Sequence, residues 1–378
     1  MGGMTTTTIR VGEPRELLAY IPYRLGFRPS ESLVVTSIRA PRGRVGLVVR
    51  VDLDAVVGAS AQATVRSLAS HLWRDGAEQV VAVVYVARAR TQEGRWRPEV
   101  ERAAALVGAG LEERVGPTVV WVVDEERYYC FDCGDPACCP REGWPVSDLE
   151  STQVSAQMVY AGARFAEHRG ELAEVPLVDS RPRYNARRVS RRWRERLARA
   201  AGPGERLAWR LASFDAWAEA VELVRRGGRP GTSLIGKIDA ALADTLVRDA
   251  VVMSCTTGPS EARRALADPA GSERVGAAFD RLFRAGAVPP APGELEAART
   301  VLREVVAHAP GGAHAPAQSV LALLAWWAGE GAAASCWVER ALRSDPAYRL
   351  ARLVETALEL GSAPGWARGE EAGETRLR

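Results

Sequence analysis

Lysine is almost missing from this 378-residue chain: Lys237 is the only one among the 50 lysines and arginines. No G-K-[ST] triplet exists, which excludes the common phosphate-binding loop with its lysine. The dinucleotide-type glycine loop is missing too, since GAGLEERVG opens no helix after a strand. Arginine in place of lysine, beside abundant Ala and Gly, is the codon bias of a high-GC genome. The number of arginines therefore says little by itself about nucleic-acid binding. Histidine is scarce as well, and none of the four stands near the cysteine cluster, so no base for a nucleophilic thiol is at hand in sequence. No run approaches about 18 consecutive apolar residues, so no membrane span is expected. The opening MGGMTTTTIR lacks the apolar segment of a secretory leader. A cytoplasmic protein is expected, in a compartment that keeps thiols reduced.

What is present is ordinary globular composition, 47% hydrophobic and 26% charged, at a length that allows two or three domains. After a polar tail at 1–11, PRELLAYIPYRLGF reads as a short helix ended by Pro22 and a turn at Gly26. SLVVTSI (32–38) and RVGLVVRVDL (44–53) are β-branched runs joined as a hairpin. A helix at 60–73, the apolar strand QVVAVVYVA (79–87), a helix at 98–113 and the strand TVVWVV (118–123) follow. DEER then turns the chain back into YYCF, and a helix over 151–169 closes the region. This order predicts an α/β domain over 12–175, a mixed sheet with helices on both faces.

From about residue 185 no strand pattern remains. An all-α region is expected, with a helical domain at 176–287 that includes helices at 234–253 and 272–285, then the linker VPPAPG. In 294–361, Ala334, Val338, Ala341 and Pro346 match the small and apolar positions of a tetratricopeptide helix pair, with Gly329 at its turn. One and a half such units are fewer than the roughly three that stand alone, so this part is expected to pack on the other helices. The tail 362–378 is expected to be disordered.

Four of the six cysteines fall within YYCFDCGDPACCP. As a metal set, zinc foremost, Cys130, Cys133, Cys138 and Cys139 are crowded: paired knuckles usually lie a dozen or so residues apart, and adjacent cysteines seldom face one ion. His168 is the one histidine that could complete a three-cysteine set, from far along the chain. As reactive sulfur, Cys138 is the candidate, because Asp135 and Pro136 start a helical turn whose free N–H groups favour a thiolate. The plain alternative is sulfur buried among Trp144 and the tyrosines.

PYRLGFRPSESLVV, GLVVRVDL, CGDPACCPREGWPV and RALRSDPAYRLARL together resemble the domain of unknown function 4192 family of high-GC Gram-positive bacteria, over about 14–364. The resemblance implies that Cys133, Asp135, Pro136, Cys138, Cys139 and Pro140 belong to the family pattern, with Cys130 an addition. It implies no activity.

A second candidate site follows from topology. A hairpin of 32–38 and 44–53 brings Arg28, Ser30, Glu31 and Ser32 to Arg50 and Asp52, with Arg88 and Asp124 on the same rim. Ligands of open α/β sheets bind outside carboxyl ends of strands, and such Arg, Ser and Asp groups suit a polar or phosphorylated small molecule. An Arg50–Asp52 ion pair is the plainer reading. If DEER is a hairpin turn, the cysteines are expected at the opposite end of the sheet from this rim.

RPRYNARRVSRRWRERLAR (181–199) holds nine Arg against one Glu, with Arg187, Arg188, Arg191, Arg192 and Arg194 as a candidate patch for nucleic acid or an acidic partner. Val189, Trp193 and Leu197 recur every four residues, which also fits an amphipathic helix with a solvated basic face. The leading expectation is an interaction or regulatory protein with a protein partner on its helical region, and not an enzyme. A small-molecule-binding protein or enzyme at the rim or at Cys138, and a nucleic-acid binder, are the alternatives.

Overall fold

The computed structural model describes residues 13–40, 43–135, 139–268, 271–290 and 292–367. It divides into two compact units, 1–169 and 170–378. Among the described residues no helix is long and apolar enough to cross a membrane.

The first unit is the expected α/β domain. Helix α1 (Pro14–Leu25) precedes β1 (Ser32–Arg39) and β2 (Arg44–Asp52). Then come α2 (Leu53–Val57), α3 (Ala61–Arg74), β3 (Ala77–Tyr85), α4 (Pro98–Glu112), β4 (Thr118–Val123), β5 (Arg127–Cys130), β6 (Trp144–Pro145), α5 (Ser147–Glu150) and α6 (Gln153–Tyr160). Pro22 does not end α1 but sits inside it, and the helix stops at Gly26, whose φ of 82° takes the left-handed turn that glycine tolerates. The last helix is shorter than its expected 151–169, and His168 lies beyond it.

The strands form one six-stranded sheet in the order β2-β1-β3-β4-β5-β6. β1 runs antiparallel to both β2 and β3, so Ser32 stands between Asp52 and Tyr85. β2 and β3 thus point the same way without touching. β3 and β4 are the parallel neighbours, Tyr85 beside Val123. Alternation decides the faces. Leu33, Val35, Val80, Ala82, Val84, Val120 and Val122 meet α2, α3 and α4 on one side. Val34, Val83, Tyr85, Trp121, Val123 and Tyr128 meet Leu18 and Ile21 of α1 on the other. Both faces are covered, which is why β3 reads as an unbroken apolar run.

The second unit is helical: α7 (Ser180–Arg199), α8 (Pro203–Arg225), α9 (Thr232–Ala241), α10 (Thr245–Thr256), α11 (Pro259–Ala267), α12 (Gly271–Phe283), α13 (Pro292–His308), α14 (Ala315–Trp327), α15 (Gly331–Ser344) and α16 (Arg349–Glu359). The helix expected over 234–253 is two. Asp244 breaks it, its carboxylate accepting the N–H groups of Leu246 and Val247 to cap α10. α14 is buried along its whole length, as a helix that is apolar all round must be. It packs against α13, α15 and α16. Gly329, at φ 77°, turns α14 into α15, where Ala334, Val338 and Ala341 are buried. Of the tail expected from 362, residues 362–367 are described, and Trp366 docks there by donating its indole N–H to the Trp327 carbonyl at 2.6 Å.

Candidate functional site

A cleft of about 1000 Å³ opens at the carboxyl ends of the parallel pair β3 and β4. Three pieces of backbone wall it. The first is the loop after β3, which folds on itself as a small hairpin: Arg90 bridges Trp96, the Thr91 N–H meets the Arg95 carbonyl at 2.8 Å, and the Arg97 N–H meets Ala89 at 3.1 Å. Pro98 then starts α4 at a position where a missing N–H costs nothing.

The second wall is the β4–β5 turn, organised by Asp124. One carboxylate oxygen accepts the N–H groups of Glu126 (3.0 Å) and Arg127 (2.7 Å), a local turn that Asp side chains favour. The other oxygen accepts the Ala89 N–H at 3.1 Å, tying the first wall to the second. Burial pushes the Tyr129 pKa up, and the Asp124 charge pushes it further.

The third wall is the cysteine segment. β5 is only four residues long, so the chain leaves the sheet at Phe131 and returns through 139–143 to pair β6 with β5. The return is tight: Gly143 has φ 73°, and the Arg127 guanidinium donates to its carbonyl at 3.1 Å. As a result Cys130, Cys133 and Cys139 line the same cleft as Arg88 and Asp124. The expectation that the cysteines and the strand-end rim lie at opposite ends of the sheet is therefore corrected. Burial pushes the Cys130 thiol pKa up, against the backbone N–H groups of Cys133 and Asp132 that hydrogen-bond its sulfur. Cys138, the candidate nucleophile, lies outside the described residues together with Pro136. Among the described residues no three His, Cys, Asp or Glu side chains are placed to hold a metal ion.

The remaining rim residues stand apart from the cleft. Arg50 pairs with Asp52 at 2.5 Å and reaches the Ser30 carbonyl at 3.5 Å. Arg28 pairs with Glu167 at 3.1 Å and Glu150 at 3.9 Å. Ser32 is fully buried with its hydroxyl unpartnered. Register did bring these residues together, but the charges of Arg28, Arg50 and Asp52 are taken up by ion pairs, while Ser32 Oγ and Arg50 Nε stay buried without a partner among the described residues.

Residues that the sequence reading passed over complete the cleft: Arg90, Trp96, Arg127, Phe131 and Arg141. The Arg90 guanidinium lies 3.8 Å from the Trp96 ring centre and 5.2 Å from that of Tyr129, and its Nε is buried without a partner. Trp96 and Phe131 lie 5.2 Å apart, their rings tilted by 35°, and give the cleft an apolar wall. The signal for Arg90 and Trp96 was the run ARARTQEGRW directly after a strand of a parallel pair, where α/β sheets place their ligand loops.

In the second unit, Arg187, Arg188, Arg191, Arg192 and Arg194 are all exposed on α7. Arg194 pairs with Asp239 at 2.9 Å and Arg191 with Glu195 at 3.8 Å. No curated protein and no solved structure matches this chain. A family model does match, over residues 14–272 and 287–365, so the chain belongs to the family described as a domain of unknown function, DUF4192.

Proposed function

We propose that this chain is a small-molecule-binding protein whose cleft takes an anionic metabolite carrying a flat ring. One observation carries the reading. Arg88, Arg90, Arg127 and Arg141 border a single cleft, and none has a carboxylate partner among the described residues. Two of the nearby acids do not compensate them, because Asp124 is occupied by backbone N–H groups and Glu93 pairs with Arg95. Guanidinium groups that no carboxylate engages directly suit phosphate or carboxylate, which they hold by paired charge-assisted hydrogen bonds. Phe131, backed by the Trp96 ring that Arg90 covers, offers the apolar surface for a ring, and Glu125, Glu126 and Glu142 offer acceptors for hydroxyl or amino groups. The volume is that of a metabolite site.

Calorimetric titration with adenosine monophosphate, uridine monophosphate and inorganic phosphate tests it. The nucleotides should bind more tightly than phosphate alone. Arg88→Met should weaken them about 10- to 100-fold, the worth of a hydrogen bond to a charged group at about 1.5–3 kcal/mol. Absence of binding by all three probes, or an unchanged Kd in Arg88→Met, would overturn the reading.

A protein partner for the helix pairs is a second reading. It is favoured by Leu353 on the last helix and Leu360 at its C-cap, each 58% exposed. Pull-down with Leu353→Glu beside the parent chain tests it, and identical partner profiles would sink it.

A further inference from the structure

We propose that the outer face of α7 is a docking strip for single-stranded nucleic acid, a function independent of the cleft. The inner face of this 20-residue helix is fixed: Ala186 and Ser190 are buried, Ser190 donates to Asp239, and Trp193 donates its indole N–H to Ser213 at 2.8 Å. Gly236 of α9 admits α7 at close range, since a Cβ there would lie 2.7 Å from Cβ of Val189. The face turned away from α9 is thereby held in place along a helix about 30 Å long.

That face carries more arginine than its carboxylates meet: Arg191 and Arg199 share Glu195, and the others on it have no carboxylate partner among the described residues. Arg181, Arg188, Arg192 and Arg199 follow one another at i, i+7, i+11 and i+18, one line along the helix, flanked by Arg187 and Arg191. Six of the nine arginines of α7 (Arg181, Arg183, Arg187, Arg188, Arg192 and Arg196) have no carboxylate partner among the described residues. Codon bias does not account for this, because it fills the neighbouring helices with arginine too, and there carboxylates meet it. Arg210 pairs with Asp244, Arg263 with Asp215 and Arg299 with Glu330, at 2.9, 2.7 and 2.9 Å. The excess on α7 is local.

The chemistry of the strip favours nucleic acid over an acidic protein. Protein interfaces are anchored by apolar or aromatic side chains seated in pockets. The one large ring standing out from this face is Tyr184, 62% exposed, with the Arg188 guanidinium 5.7 Å from its centre. A row of arginine forks with one exposed ring fits phosphates and a stacked base.

Fluorescence anisotropy of the full chain with a labelled, mixed-sequence single-stranded DNA 20-mer tests the assignment. If Arg181, Arg187, Arg188 and Arg192 each hold one phosphate, log K should fall with log salt at a slope of about −2.8, roughly fifty-fold between 50 and 200 mM. The triple variant Arg187→Ala, Arg188→Ala, Arg192→Ala keeps a good helix former at each site and should lose about 2 from the slope. Tyr184→Ala should weaken binding several-fold and leave the slope unchanged. No binding at 50 mM salt, an unchanged slope in the folded triple variant, or competition by polyglutamate equal to that of unlabelled oligonucleotide would each overturn it. The last result would assign the strip to acidic protein.

Discussion

Asp124 ties the wall after β3 to the β4–β5 turn, and removing it tests how the cleft is held open. In Asp124→Ala the N–H groups of Ala89, Glu126 and Arg127 lose their acceptor. Glu126 is exposed, so water recovers its bond at little cost. Ala89 is fully buried and Arg127 half-buried, so these two carry the loss. At about 1.5 kcal/mol or more for each bond to a charged group, the first unit should lose about 3 kcal/mol. A unit of this size shifts its melting point by about 2–4 °C per kcal/mol, so about 6–12 °C is expected. Asp124→Asn keeps a neutral acceptor and should cost about half as much.

The readout must resolve the two units, because the chain's 11 tryptophans report on both. Hydrogen exchange by mass spectrometry does so. Amides of 87–97 and 124–127 should lose protection in Asp124→Ala, while peptides of α13 to α16 serve as the internal control. Retained protection at Ala89, or a stability loss below about 0.5 kcal/mol, would show that Asp124 does not hold the wall, and the account of the cleft's rigidity would fall with it.

The sequence made the strands of the sheet legible where β-branched runs were long enough to show a period, at 32–38, 44–53, 79–87 and 118–123. It could not announce β6, since two residues, Trp144 and Pro145, have no period. The break between α9 and α10 was hidden because Leu242 and Val247 continue the apolar pattern across it. The only mark was Asp244 as a cap, a weaker signal than periodicity. At the site, register was readable but satisfaction was not. Ser32 does stand beside Asp52, yet whether Arg50 reaches a ligand or its neighbouring carboxylate depends on a side-chain choice that strand spacing does not determine. The cysteine segment went to the wrong end of the sheet for a reason of length. A longer β5 would have carried the cysteines away from the rim, but four residues return them to it.

Two further outcomes test the second unit. Gly236→Ala sets helix propensity, which favours alanine by about 1 kcal/mol, against packing, because the new methyl would meet the Ala186 carbonyl and Val189. Backbone cannot yield as a flexible side chain does, so a net loss of about 1–3 kcal/mol by urea denaturation is expected, and neutrality or a gain would refute the close seat of α7. Asp239 gives a pH signature. Burial works against its charged form, yet His314, Ser190 and Arg194 around it hold its pKa below the ordinary carboxylate value of 3.8. His314 itself caps α14, its Nδ1 accepting the Ala317 N–H at 3.1 Å, so the network joins three helices. A carboxyl whose pKa is lower folded than unfolded contributes stability above the unfolded value and loses it as pH falls through the folded one. The second unit should therefore weaken progressively below about pH 4, over a window set by the depressed carboxyl. Asp239→Asn cannot titrate, so its stability should be lower at neutral pH and flatter across the acid range. Parallel curves for the two proteins would mean that the charge on Asp239 does not hold α7 in place, and that the helix is seated by Gly236 and its apolar contacts alone.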